Sequence, residues 1–178
     1  MKKEIERKFL IKDLPIDPSL KLPEIQHIIQ YYYKHESVWK RIRKIESNIS
    51  GQQFLHTVKT YKDGITYEEE KLFSYLEYKE LISMINSGEY PSRFISKTRY
   101  ILPTEIQANF EGEIKTIKWE FDKFNFNLMI AEIELPSFDF PLEIPDFIKE
   151  KIIYEVTNIS EFSNRNLAQP LRIKEFSL

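Results

Sequence analysis

The chain has 178 residues, of which 42% are hydrophobic and 30% charged, enough for one domain, 1–178, with a substantial core. The formal net charge is -2, so no global field draws it to nucleic acid or to an anionic membrane. The absence of cysteine excludes disulfides and thiolate metal sites; with only His27, His35 and His56 besides, any metal is a hard cation held by carboxylates, such as Mg²⁺ or Mn²⁺. Nothing at the N-terminus reads as a signal peptide and no apolar run approaches membrane-spanning length, so the expectation is a cytoplasmic protein.

In chain order, period-two alternation predicts strands over 2–12, 25–35, 37–47, 52–62 and 64–73, with Asp63-Gly64 as a hairpin turn between the last two. Ser74 to Ser87 predicts a helix, with Ser74 as its cap, Gly88 as its stop, and Leu76, Tyr78, Leu81 and Ile85 sharing a stripe. Strands follow over 93–102, 115–124 and 127–135. The polar stretch 103–114 between the first two is a long hairpin connection or a frayed strand extension. Shorter helical candidates lie at 144–151 and 160–168. The expected class is α+β.

Seven of these segments carry charge at alternate positions. They are Glu4, Glu6 and Lys8; Arg41 and Arg43; Lys59; Glu68 and Glu70; Lys97 and Arg99; Glu120 and Asp122; Glu132 and Glu134. Period two puts each set on one face of its strand. Taken singly, each set is what a solvated outer face would show. Taken together they are sorted, with basic and acidic pairs on separate strands. A closed antiparallel barrel gives the sorting a purpose, because alternate residues then point into a polar lumen and the apolar alternates face outward. The basic group suits a phosphate chain and the acidic group a divalent metal, which together describe phosphoryl chemistry.

Tyr31, Tyr32 and Tyr33 read as packing or rim residues, and Trp39 and Trp119 as packing on the barrel. His35 and His56 read as polar surface or lumen residues, since neither has a second ligand at metal-binding spacing.

The run Glu4-Ile5-Glu6-Arg7-Lys8 followed by Phe-Leu-Ile resembles the ExExK signature of the CYTH superfamily, the triphosphate tunnel metalloenzymes. RIR at 41–43, VK at 58–59, ExE at 68–70, KTRY at 97–100, WEFDKF at 119–124 and AEIEL at 131–135 follow in that family's order, so the resemblance spans nearly the whole chain. It implies an eight-stranded antiparallel barrel with a few flanking helices, and a triphosphate bound along the tunnel with Mg²⁺ or Mn²⁺. By resemblance, Glu4, Glu6 and a carboxylate of the last strand, Glu134 before Glu132, ligate metal. Lys8, Arg41, Arg43, Lys59, Lys97 and Arg99 hold phosphates, and Lys8 belongs to the catalytic set too. Glu68, Glu70, Glu120 and Asp122 line the acidic side, placing a second metal or the attacking water. Thr66 stands where small relatives carry Arg, and a one-residue gap at Gly64 would put Glu69 in place of Glu68. Phe162 stands where the family has Tyr.

The implied activity is hydrolysis of inorganic tripolyphosphate, as in small bacterial triphosphatases. Class IV adenylate cyclase and thiamine triphosphatase are the competing reactions, and a phosphate-binding sensor without turnover the competing non-enzyme. A sensor would keep the basic set and lose the acids; here both persist. The partner is a small triphosphate, with a homodimer as family habit. A strand-rich domain whose charges merely face water is the blandest alternative, and exposure of Arg41, Arg43, Lys97 and Arg99 would favour it.

Overall fold

The structure is a computed structural model and describes residues 2–15 and 24–170. The described residues form one antiparallel sheet with three α-helices, of which Tyr75–Asn86 is the longest. The strands are β1 (Lys2–Glu4), β2 (Glu6–Ile11), β3 (Glu24–His35), β4 (Val38–Ser47), β5 (Gly51–Lys62), β6 (Ile65–Phe73), β7 (Ser92–Phe110), β8 (Glu113–Phe124), β9 (Met129–Glu134), β10 (Ile152–Glu155) and β11 (Gln169–Pro170). The hydrogen-bonded order is β1-β6-β5-β4-β3-β7-β8-β9-β2-β10, with β11 beside β7.

The expected strand 2–12 is divided at Ile5. Residues before it pair with β6 and residues after it with β9 and β10. The sheet therefore leaves the first strand on one side and comes back to it on the other. Only Ile5 separates the two attachments, and its carbonyl accepts from the Leu135 amide at 2.8 Å. Asp63 and Gly64 both take positive φ, 52° and 79°, and join β5 to β6 as the two-residue turn the Asp-Gly pair predicts. The 103–114 stretch is strand extension. β7 and β8 continue past a bulge between Pro103 and Gln107 as a long hairpin arm, turning at Glu111-Gly112. The arm's tip reaches β1, where Lys2 lies over the Phe110 ring and the Lys3 amide donates to Glu111 at 3.4 Å.

The largest part of the hydrophobic core lies on the outer face of this sheet, while Tyr32, Ile95, Phe124 and Ile130 form an apolar cluster with Ala168 on the face that carries Gln30, Lys97, Asp122 and Glu132. Ile5, Phe9, Ile117, Trp119, Phe121 and Ile133 point outward, beneath residues 135–152, including Phe140, Leu142 and Phe147. On the opposite side α1 (Tyr75–Asn86) covers Tyr33 and Ile42. Ser74 caps it in a reciprocal box with Glu77, and Ser74 rather than propensity fixes its start. Its buried stripe is Tyr78, Leu81, Ile82 and Ile85. Leu76, expected in that stripe, is 68% exposed, because it lies about half a turn of helix away from Ile85. The 144–151 candidate shrinks to α2 (Asp146–Lys149) and gives way to β10; the 160–168 candidate becomes a 3-10 turn at Ser160–Phe162 and then α3 (Asn164–Leu167). His56 belongs to neither surface nor lumen. It stacks on Phe73 and meets the Tyr33 hydroxyl at 2.7 Å in the layer under α1. No described helix is long and apolar enough to cross a membrane.

Ile42 is wholly buried between β4 and α1, whereas Ile49 stands 71% exposed. Ile42→Ala should therefore cost about 2–5 kcal/mol and Ile49→Ala under about 0.5 kcal/mol, read from guanidinium unfolding midpoints.

Candidate functional site: a charged cavity inside the sheet

The inner face of the curled sheet encloses a cavity of about 610 Å³. Side chains from all strands from β1 to β9 line it, so the alternation read in the sequence converges on one space. Glu4, Glu6 and Lys8 arrive from β1 and β2, Arg41 and Arg43 from β4, and Lys59 from β5. Glu68 and Glu70 come from β6, Lys97 and Arg99 from β7, Glu120 from β8, and Glu132 and Glu134 from β9. On β6 the lining residues are Glu68 and Glu70, with Glu69 exposed and in register with Val58. The gap that would substitute Glu69 is not needed. Arg41, Lys97 and Arg99 are buried and Arg43 nearly so, which excludes a merely solvated charged face.

The charges are paired across strands. Arg99 binds Asp122 with two parallel bonds of 2.7 Å, donates to Glu132 at 2.9 Å, and contacts Glu120. The Lys97 ammonium contacts Asp122 too. Arg41 donates to Glu68 at 3.0 Å and to the Thr57 hydroxyl at 3.2 Å; Arg43 contacts Glu70. Lys8 bridges Glu6 at 2.9 Å and Glu132 at 3.0 Å. Lys59 bridges both Glu4 oxygens, at 2.8 and 2.5 Å, and Glu68 at 3.1 Å.

Asp122 departs from expectation. It does not line the cavity but lies in the wall, 0% exposed, with both oxygens taken by Arg99 and Lys97. Its place on the Glu120 face brings it into the strand layer one residue pair deeper, opposite Arg99 in the β7–β8 ladder. As placed, Asp122 positions two cations and has no oxygen facing the cavity.

Several lining residues escaped the sequence reading, among them Lys2, Lys118, Gln30 and Asn164. Lys2 extends the alternation of Glu4, Glu6 and Lys8 by one step and pairs with Glu134 at 2.6 Å; the period itself could have found it. Lys118 precedes Glu120 and Asp122 in the same way. Gln30, wholly buried, donates to the Tyr32 hydroxyl at 3.2 Å, and its uncharged side chain gave no signal. Asn164 enters from α3, its side-chain oxygen 3.4 Å from the Lys97 ammonium, and no strand period points to it.

Two polar features of the cavity have no internal partner. The Nε–H groups of Arg41 and Arg43 are buried without an acceptor. Glu132 Oε1, though 3.0 Å from the Lys8 ammonium, lies off the hydrogen-bonding direction and has no hydrogen-bond partner. Burial, then the neighbouring Arg41 charge, pulls the Arg43 guanidinium down to about 10, so an anion beside it would be welcome. Burial alone would raise the Glu132 carboxyl, but Lys8, Lys97 and Arg99 hold it well below the usual carboxylate range. Burial pushes Glu6 upward, and Lys8 only partly offsets it.

Among the described residues, no three Asp, Glu or His side chains stand close enough together to hold a metal ion as they are placed. The donors nonetheless fit one in kind. Glu4, Glu6, Glu132 and Glu134 offer hard carboxylate oxygens, and Glu132 Oε1 is already without a hydrogen-bond donor. Two lysine ammoniums, Lys8 and Lys59, hold three of these four acids.

No family model and no curated protein matches the sequence. The fold does match. Over 83% of this chain and 82% of the other, it superposes on the PH1819 protein from Pyrococcus horikoshii OT3 with a TM-score of 0.53 at 18% identity. A weaker likeness, TM-score 0.41 at 15% identity, covers 75% of this chain and 80% of a putative adenylyl cyclase from Hippeastrum, HpAC1, described as having a dominant triphosphatase activity.

Opposite shifts predict opposite stability effects. Glu6 has a raised folded value, so its ionisation costs the folded state, and the cost appears as pH rises through that value. Glu132 has a lowered folded value, so its contribution is complete above about 4.3, the ordinary glutamate value, and is lost as pH falls through the folded one. In EDTA at pH 8, Glu6→Gln should raise the melting temperature and Glu132→Gln lower it, by about 2–4 °C for each kcal/mol. The gap between the two variants should narrow as the pH is taken toward 3, followed by circular dichroism.

Proposed function

We propose that the chain is a triphosphate tunnel metalloenzyme that hydrolyses inorganic tripolyphosphate, with nucleoside triphosphates as slower substrates. On this reading the first strand closes the sheet into the eight-stranded tunnel, one half bound to β6 and the other to β9. The observation that carries it is the pair of buried guanidiniums, Arg41 and Arg43, side by side on the cavity wall with Nε–H groups that have no acceptor. Buried donors of this kind want an anion, and a phosphate chain supplies several oxygens at once. Among the described residues the cavity has little to offer a base or thiazolium ring; Phe110 is the single aromatic of those in its lining, which favours a substrate that is phosphate alone.

Arg41, Arg43, Lys59, Lys97 and Arg99 would hold the phosphate oxygens, with Lys97 and Arg99 fixed from behind by Asp122. Lys8, between Glu6 and Glu132, would meet the bridging oxygen and stabilise its developing charge. Glu4, Glu6, Glu132 and Glu134 would hold Mg²⁺ or Mn²⁺, which when bound neutralises phosphate charge and polarises a phosphoryl oxygen. Water would attack the terminal phosphorus in line, the bond to the bridging oxygen would break, and diphosphate would leave. Glu68 or Glu70 would take the proton. Lys59 and Arg41 outweigh the burial of Glu68 and hold its carboxyl below the usual range, so it is ionised and able to accept at neutral pH.

The test is phosphate release from tripolyphosphate, ATP and thiamine triphosphate with Mg²⁺ or Mn²⁺. Tripolyphosphate should be fastest, and EDTA should abolish turnover. Arg43→Ala should lower kcat/KM by about 10²–10³-fold, the scale of losing one charge-stabilising donor. Cyclic AMP as the main product from ATP would make the chain a cyclase, and tight binding without turnover would make it a sensor.

A further inference from the structure

The two lysines among the carboxylates have a consequence for the order in which ligands arrive. This inference rests on the reading above that Glu4 helps to hold the divalent cation. The Lys59 ammonium sits 2.8 and 2.5 Å from the two oxygens of Glu4 and 3.1 Å from Glu68. It therefore spans β5, β6 and β1 and occupies the oxygens through which Glu4 would bind a metal. An ammonium that engages both oxygens of that carboxylate disfavours a divalent ion there, because it takes lone pairs on each oxygen and the two cations repel each other. If Lys59 leaves Glu4 with nothing to receive it, only Glu68 remains, and Glu68 is already shared with Arg41 at 3.0 Å.

We propose that Lys59 is a placeholder cation: it holds Glu4 against metal until phosphate takes over its ammonium, so that divalent cation and triphosphate bind with positive coupling and the cation binds poorly alone. The geometry allows the exchange. The Lys59 side chain is 39% exposed at the cavity and swings on a flexible stem, so it can release Glu4 without moving the strand. Lys8 repeats the arrangement one strand away, bridging Glu6 and Glu132. Coupling is reciprocal by necessity: whatever phosphate adds to metal affinity, metal adds to phosphate affinity.

The probe is Mn²⁺ alone, titrated into the full chain without phosphate, with free Mn²⁺ read by electron paramagnetic resonance. Lys59→Met keeps the stem and removes the charge. It should bind Mn²⁺ about tenfold more tightly than wild type, within the usual range for coupled sites. Lys59→Gln is the second variant, in case the first fails to fold, and should shift the same way. Lys59→Arg keeps a cation on Glu4 and should stay near wild type. Equal Mn²⁺ affinities in wild type and both neutral variants would overturn the proposal, as would an arginine variant as tight as the methionine one. Tripolyphosphate hydrolysis with Mn²⁺ is measured on the same wild-type preparation. Intact hydrolysis with equal affinities sinks the placeholder alone, whereas absent hydrolysis sinks the enzymatic reading beneath it.

Discussion

Arg99 is the group on which the interior depends. It stands on β7 and meets carboxylates from β8 and β9: Asp122 twice, Glu120 and Glu132. Burying so many charges is expensive, and a row of apolar residues of similar size would cost the fold less. What the chain gains is a fixed wall. Asp122 has no freedom, Lys97 and Arg99 are aimed by it, and Glu132 passes the order on to Lys8. The wall is preorganised, since Lys97 and Arg99 are already fixed by Asp122.

The two faces of the sheet divide the labour. On the outer face Trp119, Phe121 and Ile133 pack beneath the 135–152 segment and Ile42 beneath α1. The charges belong to the inner face, beside an apolar cluster of Tyr32, Ile95, Phe124 and Ile130. Alternation lets one strand serve both, so Glu120 looks inward between Trp119 and Phe121, which look outward. A slip of one residue in any register would exchange the two populations, placing carboxylates in the core. The ladders are long for this reason: ten consecutive pairs join β3 to β4 and ten join β3 to β7.

This division explains what could be read in advance. Strand positions and inward charges follow from period two, which is a local property of the backbone, and almost every charged residue so identified lines the cavity. Depth along the strand is different. Asp122 and Glu120 share a face and both meet Arg99, yet one is walled in and the other reaches the cavity, because Asp122 lies one step nearer the apolar cluster at Phe124. Gln30 and Asn164 were invisible since an amide has no charge pattern to reveal it and α3 arrives from outside the sheet. The split of the first strand at Ile5 was hidden too. A strand has two edges, and β9 takes one along β2 while β10 takes the other, leaving β6 only residues 2–4.

That first strand has a consequence for how the molecule is made. Residues 2–11 precede every partner they bind, and those partners run as far as Glu155. A chain emerging from the ribosome displays Glu4, Glu6 and Lys8 before any of their strand partners and can seat them only after those partners exist. The hairpins from β3 to β6 can form early because their pairs are local; the seam that joins β6, β1, β2 and β9 must wait for most of the chain. The cavity is therefore absent from every partly made chain. Its acids and lysines come together only in the final step of assembly, so the charged interior appears all at once.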